Sequence, residues 1–158
     1  DVEIIADGVH LPAALLKLIY KSKGPDRIAL ITDAMRAAGM PPGESILGGI
    51  KKGLKVIVED GVAKLPDRSA FAGSVATADR LVRTMVNMAG VPLQDAITMI
   101  TTTPAKIMGV ADRKGSLVAG KDADIVIFDA DIDIKMTIVQ GRKVYEKIVR
   151  EAVEAQAY

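Results

Sequence analysis

Two short apolar runs, each ending at a carboxylate and separated by one helix-length segment, constrain the fold of this chain more than any other feature. Residues 2–6 lead into Asp7, and residues 27–32 lead into Asp33. Between these runs, residues 12–23 carry apolar side chains at helical spacing. Strand, helix and strand in this order build a right-handed parallel βαβ unit, so the sequence predicts an α/β fold. Both strand ends then point their polar groups in the same direction, where such folds keep functional residues.

The charge balance excludes several classes of protein. The 158 residues contain 21 Lys and Arg against 20 Asp and Glu, with no basic run that would bind nucleic acid or a membrane surface. No apolar run approaches the length of a membrane span. The chain has no Cys, which excludes a thiol nucleophile and a Cys-based zinc site. We expect a globular, cytoplasmic protein, and a cut chain start, because Asp1 is neither an initiator Met nor part of a signal peptide.

Residues 35–69 change the pattern to turns rich in Gly and Pro around short strands. Two of these strands, residues 56–58 and 62–65, flank a tight turn at Asp60 and Gly61, which is a hairpin signal. We interpret residues 44–66 as a β-hairpin insertion that lies over the mouth formed by the strand ends.

Helices and then strands follow this insertion. Helices are predicted at residues 75–89, 93–100 and 104–108. Ser74 and Thr103 are the expected N-caps of the first and the last of them, and Asp79 is spaced to pair with Arg83 one turn later. Short apolar runs joined by tight turns then predict strands, and the polar end of the chain predicts a helical tail; these segments are residues 125–128, 135–139, 143–145 and 146–158.

Three positions allow both a functional and a structural interpretation. Asp33 can act as an acid–base carboxylate, or it can cap the turn that follows its strand. His10, the one histidine, can contact a ligand or can be a structural residue near a helix start. Gly73 allows a ligand to approach the backbone closely, or it forms a turn before the next helix.

Four groups of residues carry a resemblance to a known family. Three are short: Asp7-Gly8-Val9-His10, Leu30-Ile31-Thr32-Asp33-Ala34 and Phe71-Ala72-Gly73-Ser74. The fourth is a discontinuous run over residues 102–109, 114–129 and 137–141. With these motifs the chain resembles the amidohydrolase superfamily, and within it the N-acetylglucosamine-6-phosphate deacetylase family. The fourth group is typical of the superfamily, whereas the first three together indicate the deacetylases.

The resemblance implies a particular part of a larger fold. Residues 1–112 match the C-terminal portion of a TIM-type (β/α)8 barrel, a partial barrel that holds the last strand–helix units and the hairpin insertion near 44–66. Residues 113–145 match carboxy-terminal strands of a small β-sandwich domain. Residues 146–158 are the polar helical tail.

The resemblance also implies an activity and its residues. It is that of a metal-dependent amide hydrolase that deacetylates N-acetylglucosamine 6-phosphate in amino-sugar catabolism. Asp33 matches the catalytic carboxylate, and His10, Phe71, Ala72 and Gly73 match residues that bind the substrate. In that family the imidazole can donate a hydrogen bond to the sugar or its phosphate without a change in its protonation. The implied cofactor is a divalent metal of the Zn or Fe type, and the implied assembly is a homodimer.

One departure from the family pattern concerns the metal. The family holds its metal with a Glu and two His from earlier barrel strands, and this chain has no match to those segments. We therefore expect no metal site in these residues and no activity from this segment alone. Two alternatives stay open: another amidohydrolase that acts on a cyclic amide or a different acylated amine, and a non-catalytic fragment that self-associates through unpaired strand edges.

Overall fold

The structure, a computed structural model, describes residues 1–148. The chain divides into two compact units, the first being Asp1–Lys121 and the second beginning at Asp122. Residues 113–121, which the sequence analysis grouped with the second domain, lie in the first unit. Among the described residues, no helix has the length and apolar character needed to cross a bilayer. The helical tail predicted over residues 146–158 is wrong where the structure describes it, because Glu146 lies in a strand and residues 147–148 are not helical. From residue 149 onward the predicted tail lies outside the described residues.

The first unit begins with the predicted βαβ arrangement. Strands β1 (Val2–Ile5) and β2 (Ile28–Ile31) pair in parallel, and helix α1 (Ala13–Lys23) connects them. Leu16 of α1 and Ile28 of β2 are fully buried. The α/β prediction is therefore confirmed at its central element, and the carboxyl ends of both strands lie at the same edge.

The turn-rich segment builds a four-stranded antiparallel sheet. Its strands, in sheet order, are β3 (Gly43–Leu47), β4 (Leu54–Glu59), β5 (Val62–Lys64) and β6 (Phe71–Ser74). The predicted hairpin joins β4 to β5, with positive φ angles at Asp60 and Gly61. The sheet is larger than the predicted insertion because β6, expected to lead into a helix, is itself a strand. A small apolar core fills this region, formed by Met35, Ala37, Val56, Val58, Ala63 and Ala72.

Three helices follow β6, and all of them contact β2. They are α2 (Ala78–Asn87), α3 (Leu93–Ile100) and α4 (Thr102–Ile107). The predicted ion pair between Asp79 and Arg83 forms on α2 at 2.5 Å and is confirmed. Leu81, Met85 and Met99 are completely buried between these helices and the rest of the unit.

Both predicted helix caps are wrong. Helix α2 begins at Ala78 rather than at residue 75, because Ser74 is a buried residue of β6 and its hydroxyl accepts a hydrogen bond from the Ala76 N–H at 3.0 Å. Thr103 lies inside α4, and its hydroxyl donates to the Pro25 carbonyl at 2.8 Å. The Ser74 hydroxyl thus has a local partner within a strand end, whereas the Thr103 hydroxyl has a partner far away in the sequence.

The second unit is an antiparallel sheet of three strands, in the order β7 (Ile125–Phe128), β8 (Ile134–Val139) and β9 (Arg142–Glu146). Gln140 and Gly141 form the tight turn between β8 and β9 with φ angles of 49° and 76°. Lys135 binds Asp129 at 2.8 Å and Asp133 at 2.7 Å. Hydrogen bonds from Lys135 and then from Lys147 lower the pKa of Asp133 to about 2.

Candidate active site

The segment after β1 is organised by the carboxylate of Asp7. This side chain is fully buried. Its Oδ1 accepts hydrogen bonds from the backbone N–H groups of Val9 and His10, both at 2.9 Å, and its Oδ2 lies 2.8 Å from Nδ1 of His10. Burial raises the pKa of Asp7, but the hydrogen bonds from His10 and Val9 outweigh it, so the pKa lies below its ordinary value.

The ionised carboxylate decides which nitrogen of His10 carries the proton. A carboxylate without a proton only accepts hydrogen bonds, so Nδ1 of His10 must be the donor to Asp7. In the neutral ring Nε2 is then an acceptor, and it becomes a donor only when the ring is protonated. Nδ1 of the neutral ring thus donates to Asp7, and the donation to a sugar or its phosphate that the resemblance implies stays a prediction.

His10 and Phe71 meet, although they are far apart in the sequence. Their ring centroids are 5.1 Å apart and the ring planes are tilted by 57°. The His10 side chain is 19% exposed, and Phe71 is 49% exposed. The contact therefore brings the first and third predicted motifs together and leaves part of both rings open to a ligand.

Asp33 stands at the end of β2, directly beside β6. The N–H of Ser74 donates to the Asp33 carbonyl at 3.3 Å, and the N–H of Met35 donates to the Ser74 carbonyl at 2.9 Å. These bonds form a parallel bridge between Ala34 and Ser74, so the second motif lies next to the third. Asp33 itself has a φ of 45°, a left-handed conformation that Asp tolerates better than most residues.

The carboxylate of Asp33 is exposed. Within residues 1–148 it has no hydrogen-bond or ion-pair partner, so it does not cap the turn that follows β2. An exposed carboxylate without a structural partner is available for proton transfer. Asp33 therefore supports the fold through its backbone, whereas its side chain has no hydrogen-bond or ion-pair partner among the described residues.

Ala72 and Gly73 offer backbone rather than side chains. Ala72 is 7% exposed and belongs to the small apolar core, so its methyl group is directed away from solvent. Gly73 has a φ of 110°, and a Cβ there would lie 3.4 Å from Cγ of Met35. Only a glycine fits this conformation without strain, and the side chains of Met35 and Leu47 border the space where a Cβ would lie.

Sequence reasoning missed two residues of this region. Asp7 was part of a motif but was not assigned to the site, although its spacing of three residues from His10 is the signal that could have identified it. Arg80 of α2 donates from Nε to the Asp7 carbonyl at 3.0 Å. No local pattern indicates this contact, because 73 positions separate the two residues.

Residues 1–148 do not form a complete metal site. Among the described residues, no three side chains of His, Cys, Asp or Glu lie close enough together to hold a metal ion. Asp33 could supply one carboxylate, whereas Nδ1 of His10 is already bound to Asp7. The donor set therefore falls short of the three protein ligands that a catalytic zinc site uses.

Comparison with known proteins identifies the family. The family model described as the Amidohydrolase family matches residues 1–149. The chain belongs to the amidohydrolase family. Members of this superfamily generally depend on divalent metal ions. The amidohydrolase assignment agrees with the α/β fold and with the carboxylates of Asp7 and Asp33 that follow the carboxyl ends of β1 and β2.

Similar amidohydrolases are sugar-phosphate deacetylases. The chain is 37% identical over 154 residues to N-acetylglucosamine-6-phosphate deacetylase of Vibrio furnissii, which covers 98% of this chain and 37% of that protein. It is 39% identical over 142 residues to N-acetylgalactosamine-6-phosphate deacetylase of Escherichia coli O157:H7, with coverages of 89% and 36%.

A solved amidohydrolase structure gives the same result. A mutant of N-acetyl-D-glucosamine-6-phosphate deacetylase from Mycobacterium smegmatis, in complex with N-acetyl-D-glucosamine-6-phosphate, aligns with a TM-score of 0.78 and 36% identity. The alignment covers 90% of this chain and 37% of that one. This amidohydrolase chain therefore spans little more than a third of the length of the relatives it matches.

Proposed function

We propose that the whole protein hydrolyses the acetamide bond of N-acetylglucosamine 6-phosphate and releases glucosamine 6-phosphate and acetate in amino-sugar catabolism. The observation that carries this proposal is the exposed Asp33 carboxylate, which has no structural partner among the described residues and lies one backbone bridge from β6. The deacetylase names of relatives that match nearly the entire chain support the substrate class.

Asp33 is the proposed proton carrier. Hydrolysis of an amide needs a base that removes a proton from the attacking water and an acid that returns a proton to the leaving nitrogen. One carboxylate can perform both steps in succession, because the proton it takes from water is the one it gives to the amine. Its place at the end of a paired strand favours this role, because rigid backbone holds the geometry of the transfer.

The other residues are proposed to bind the sugar phosphate. Nε2 of His10 faces away from Asp7 and is free to meet the substrate, as an acceptor for a hydroxyl or, when protonated, as a donor to the phosphate. Phe71 supplies an apolar surface beside His10. Ala72 and Gly73 would act through their backbone, because their side chains offer no polar group.

The architecture of the whole protein is part of the proposal. We infer that β1 and β2 are the last strands of a (β/α)8 barrel, that residues 44–66 belong to an insertion, and that β7, β8 and β9 belong to a small β-sandwich. The metal, of the Zn or Fe type, would then be held by residues outside this chain. The homodimer and the cytoplasmic location remain predictions from the sequence.

Two measurements on the intact protein test the proposal. Its mass is determined first, and deacetylation of N-acetylglucosamine 6-phosphate is then measured with added divalent metal. Replacement Asp33→Asn suits the φ of 45°, since Asn adopts left-handed conformations as readily as Asp, and it removes the negative charge and the ability to carry a proton while it keeps the size of the side chain. We expect kcat to fall by about 10²–10⁴ while KM changes little.

Asp26→Asn is the matched control. Asp26 is 73% exposed in its side chain and pairs with Lys106 at 3.6 Å, and it lies before the amino end of β2, whereas Asp33 follows the carboxyl end. Its replacement should leave kcat unchanged. Equal activity of Asp33→Asn and the wild type would contradict the role of Asp33, and no activity from the wild type at any metal would favour a non-catalytic protein.

The 4-epimer is a second candidate substrate. The Escherichia coli relative is named for N-acetylgalactosamine 6-phosphate, and its identity to this chain, 39%, is close to the 37% of the relative from Vibrio furnissii. The ratio of kcat/KM for the two epimers decides between them. Activity on neither epimer, but on a cyclic amide or another acylated amine, would place the protein elsewhere in the amidohydrolase family.

A further inference from the structure

Arg80 connects three elements around the His10 segment. It lies in the first turns of α2, and its guanidinium group is part-buried. Nε donates to the Asp7 carbonyl at 3.0 Å, and Nη1 donates to the Gly61 carbonyl at 2.8 Å. One side chain thus joins the end of β1 to the turn between β4 and β5.

The same face of α2 supports the residue after Asp7. Arg80, Thr84 and Met88 are spaced four residues apart and therefore lie on one side of the helix. A Cβ on Gly8 would lie 2.9 Å from Sδ of Met88 and 3.5 Å from Cγ2 of Thr84. The turn at Asp7 and Gly8 therefore packs closely against this side of α2, where Arg80 donates a hydrogen bond to the Asp7 carbonyl.

The β4–β5 turn is fitted equally closely to Arg80. A Cβ on Gly61 would lie 2.9 Å from Nη2 and 3.0 Å from Nη1 of Arg80. Gly61 also has a φ of 75°, which disfavours any side chain. A change at this turn must therefore move the guanidinium group that holds Asp7.

The path from Arg80 to His10 is short. Arg80 fixes the carbonyl of Asp7, and the carboxylate of the same residue holds both the backbone N–H and the Nδ1 of His10. We propose that Arg80 is a positioning residue for His10 and couples the β4–β5 turn to substrate binding. The proposal rests on the proposed function, since His10 is there a substrate contact.

The first test is Arg80→Met in the intact protein. This change removes both hydrogen bonds and keeps a side chain of similar length. We expect KM for N-acetylglucosamine 6-phosphate to rise by about tenfold with kcat within about threefold, as the loss of charged hydrogen bonds that position a binding group predicts. Arg80→Lys, which keeps one charged donor, should show a smaller rise in KM. Arg83→Met, on the same helix with its partner Asp79 one turn away, is the control and should leave KM unchanged.

A double-mutant comparison distinguishes an effect of Arg80 through His10 from an effect of Arg80 that is independent of His10. If Arg80 acts through His10, the effect of Arg80→Met on kcat/KM should fall below about twofold in a protein that already carries His10→Ala. An equal effect in both backgrounds would overturn the proposal, because it would show that Arg80 acts independently of His10. Gly61→Ala provides a second variant if Arg80→Met fails to fold, and it should raise KM in the same direction.

A spectroscopic measurement keeps this proposal separate from the proposed function. The ring signals of His10 are assigned by their loss in His10→Ala, and their chemical shifts are compared in the wild type, Arg80→Met and Arg83→Met. A shift in Arg80→Met alone supports positioning even if the wild type has no deacetylase activity. Unchanged ring signals in a folded Arg80→Met protein would overturn it even if the deacetylase activity is found.

Discussion

Removal of the Asp7 carboxylate should cost more stability than removal of any exposed carboxylate in this chain. The side chain is 0% exposed and accepts three hydrogen bonds, so water cannot replace its partners without opening the turn. A hydrogen bond to a charged group contributes about 1.5–3 kcal/mol, and the cost of burying the carboxylate offsets part of the sum. We therefore expect Asp7→Ala to lower the free energy of unfolding by about 3 kcal/mol.

Asp7→Asn should cost less, about 1–2 kcal/mol, because the amide oxygen can still accept from the N–H groups of Val9 and His10. The assay is urea denaturation of the intact protein at pH 7, with the midpoint compared at equal slope. Asp26→Ala is the control for loss of an exposed carboxylate. A cost below about 0.5 kcal/mol for Asp7→Ala would refute the argument, since that is the range of ordinary surface substitutions.

The sign of the pH dependence follows from the lowered pKa of Asp7. The stabilisation is fully present above the ordinary value of 3.8 and is lost as the pH falls through the lower pKa of the folded state. The difference in unfolding free energy between the wild type and Asp7→Asn should therefore be largest near neutral pH and should narrow below about pH 4. A difference that stays constant down to pH 3 would contradict an ionised Asp7.

Two further predictions concern other parts of the chain. Gly73→Ala should lower the unfolding free energy by about 1–3 kcal/mol, because Gly73 has a φ of 110°. Thermal denaturation can measure this, with Gly49→Ala as the control because open space surrounds Gly49, and equal melting temperatures would count against the strain. Lys135→Met should raise the pKa of Asp133 from about 2 toward its ordinary 3.8, since Lys135 is the first cause of the lowering. An NMR titration of the carboxyl carbon measures it, and an unchanged pKa would show that Lys147 alone suffices.

The sequence predicted those parts of the fold whose information is local. The apolar runs of β1 and β2 and the periodicity of α1 lie within about thirty residues, which is enough to define a parallel unit. The hairpin at Asp60 and Gly61 was also predictable, because a tight turn demands residues that tolerate positive φ.

The parts that failed depend on distant partners. Ser74 and Thr103 have the residue types of helix caps, but one lies in a strand beside Asp33 and the other donates to Pro25. Local propensity cannot reveal either partner, because each contact forms only when the chain has folded. The same reason hides Arg80, whose target at Asp7 is a backbone carbonyl and leaves no mark in the sequence.

The bridge between Ala34 and Ser74 has a consequence for how this protein can change. The chain leaves the parallel strands at Met35 and returns beside the same point at Ser74, and the residues between have an apolar core of their own. Both ends of this excursion are fixed by backbone bonds, and Gly61 within it is bound by Arg80, so residues 36–70 are anchored at three points. Insertions, deletions or exchanges between these anchors can therefore occur while the backbone at Asp33 keeps its place, which makes the excursion a natural unit for change by evolution or by engineering.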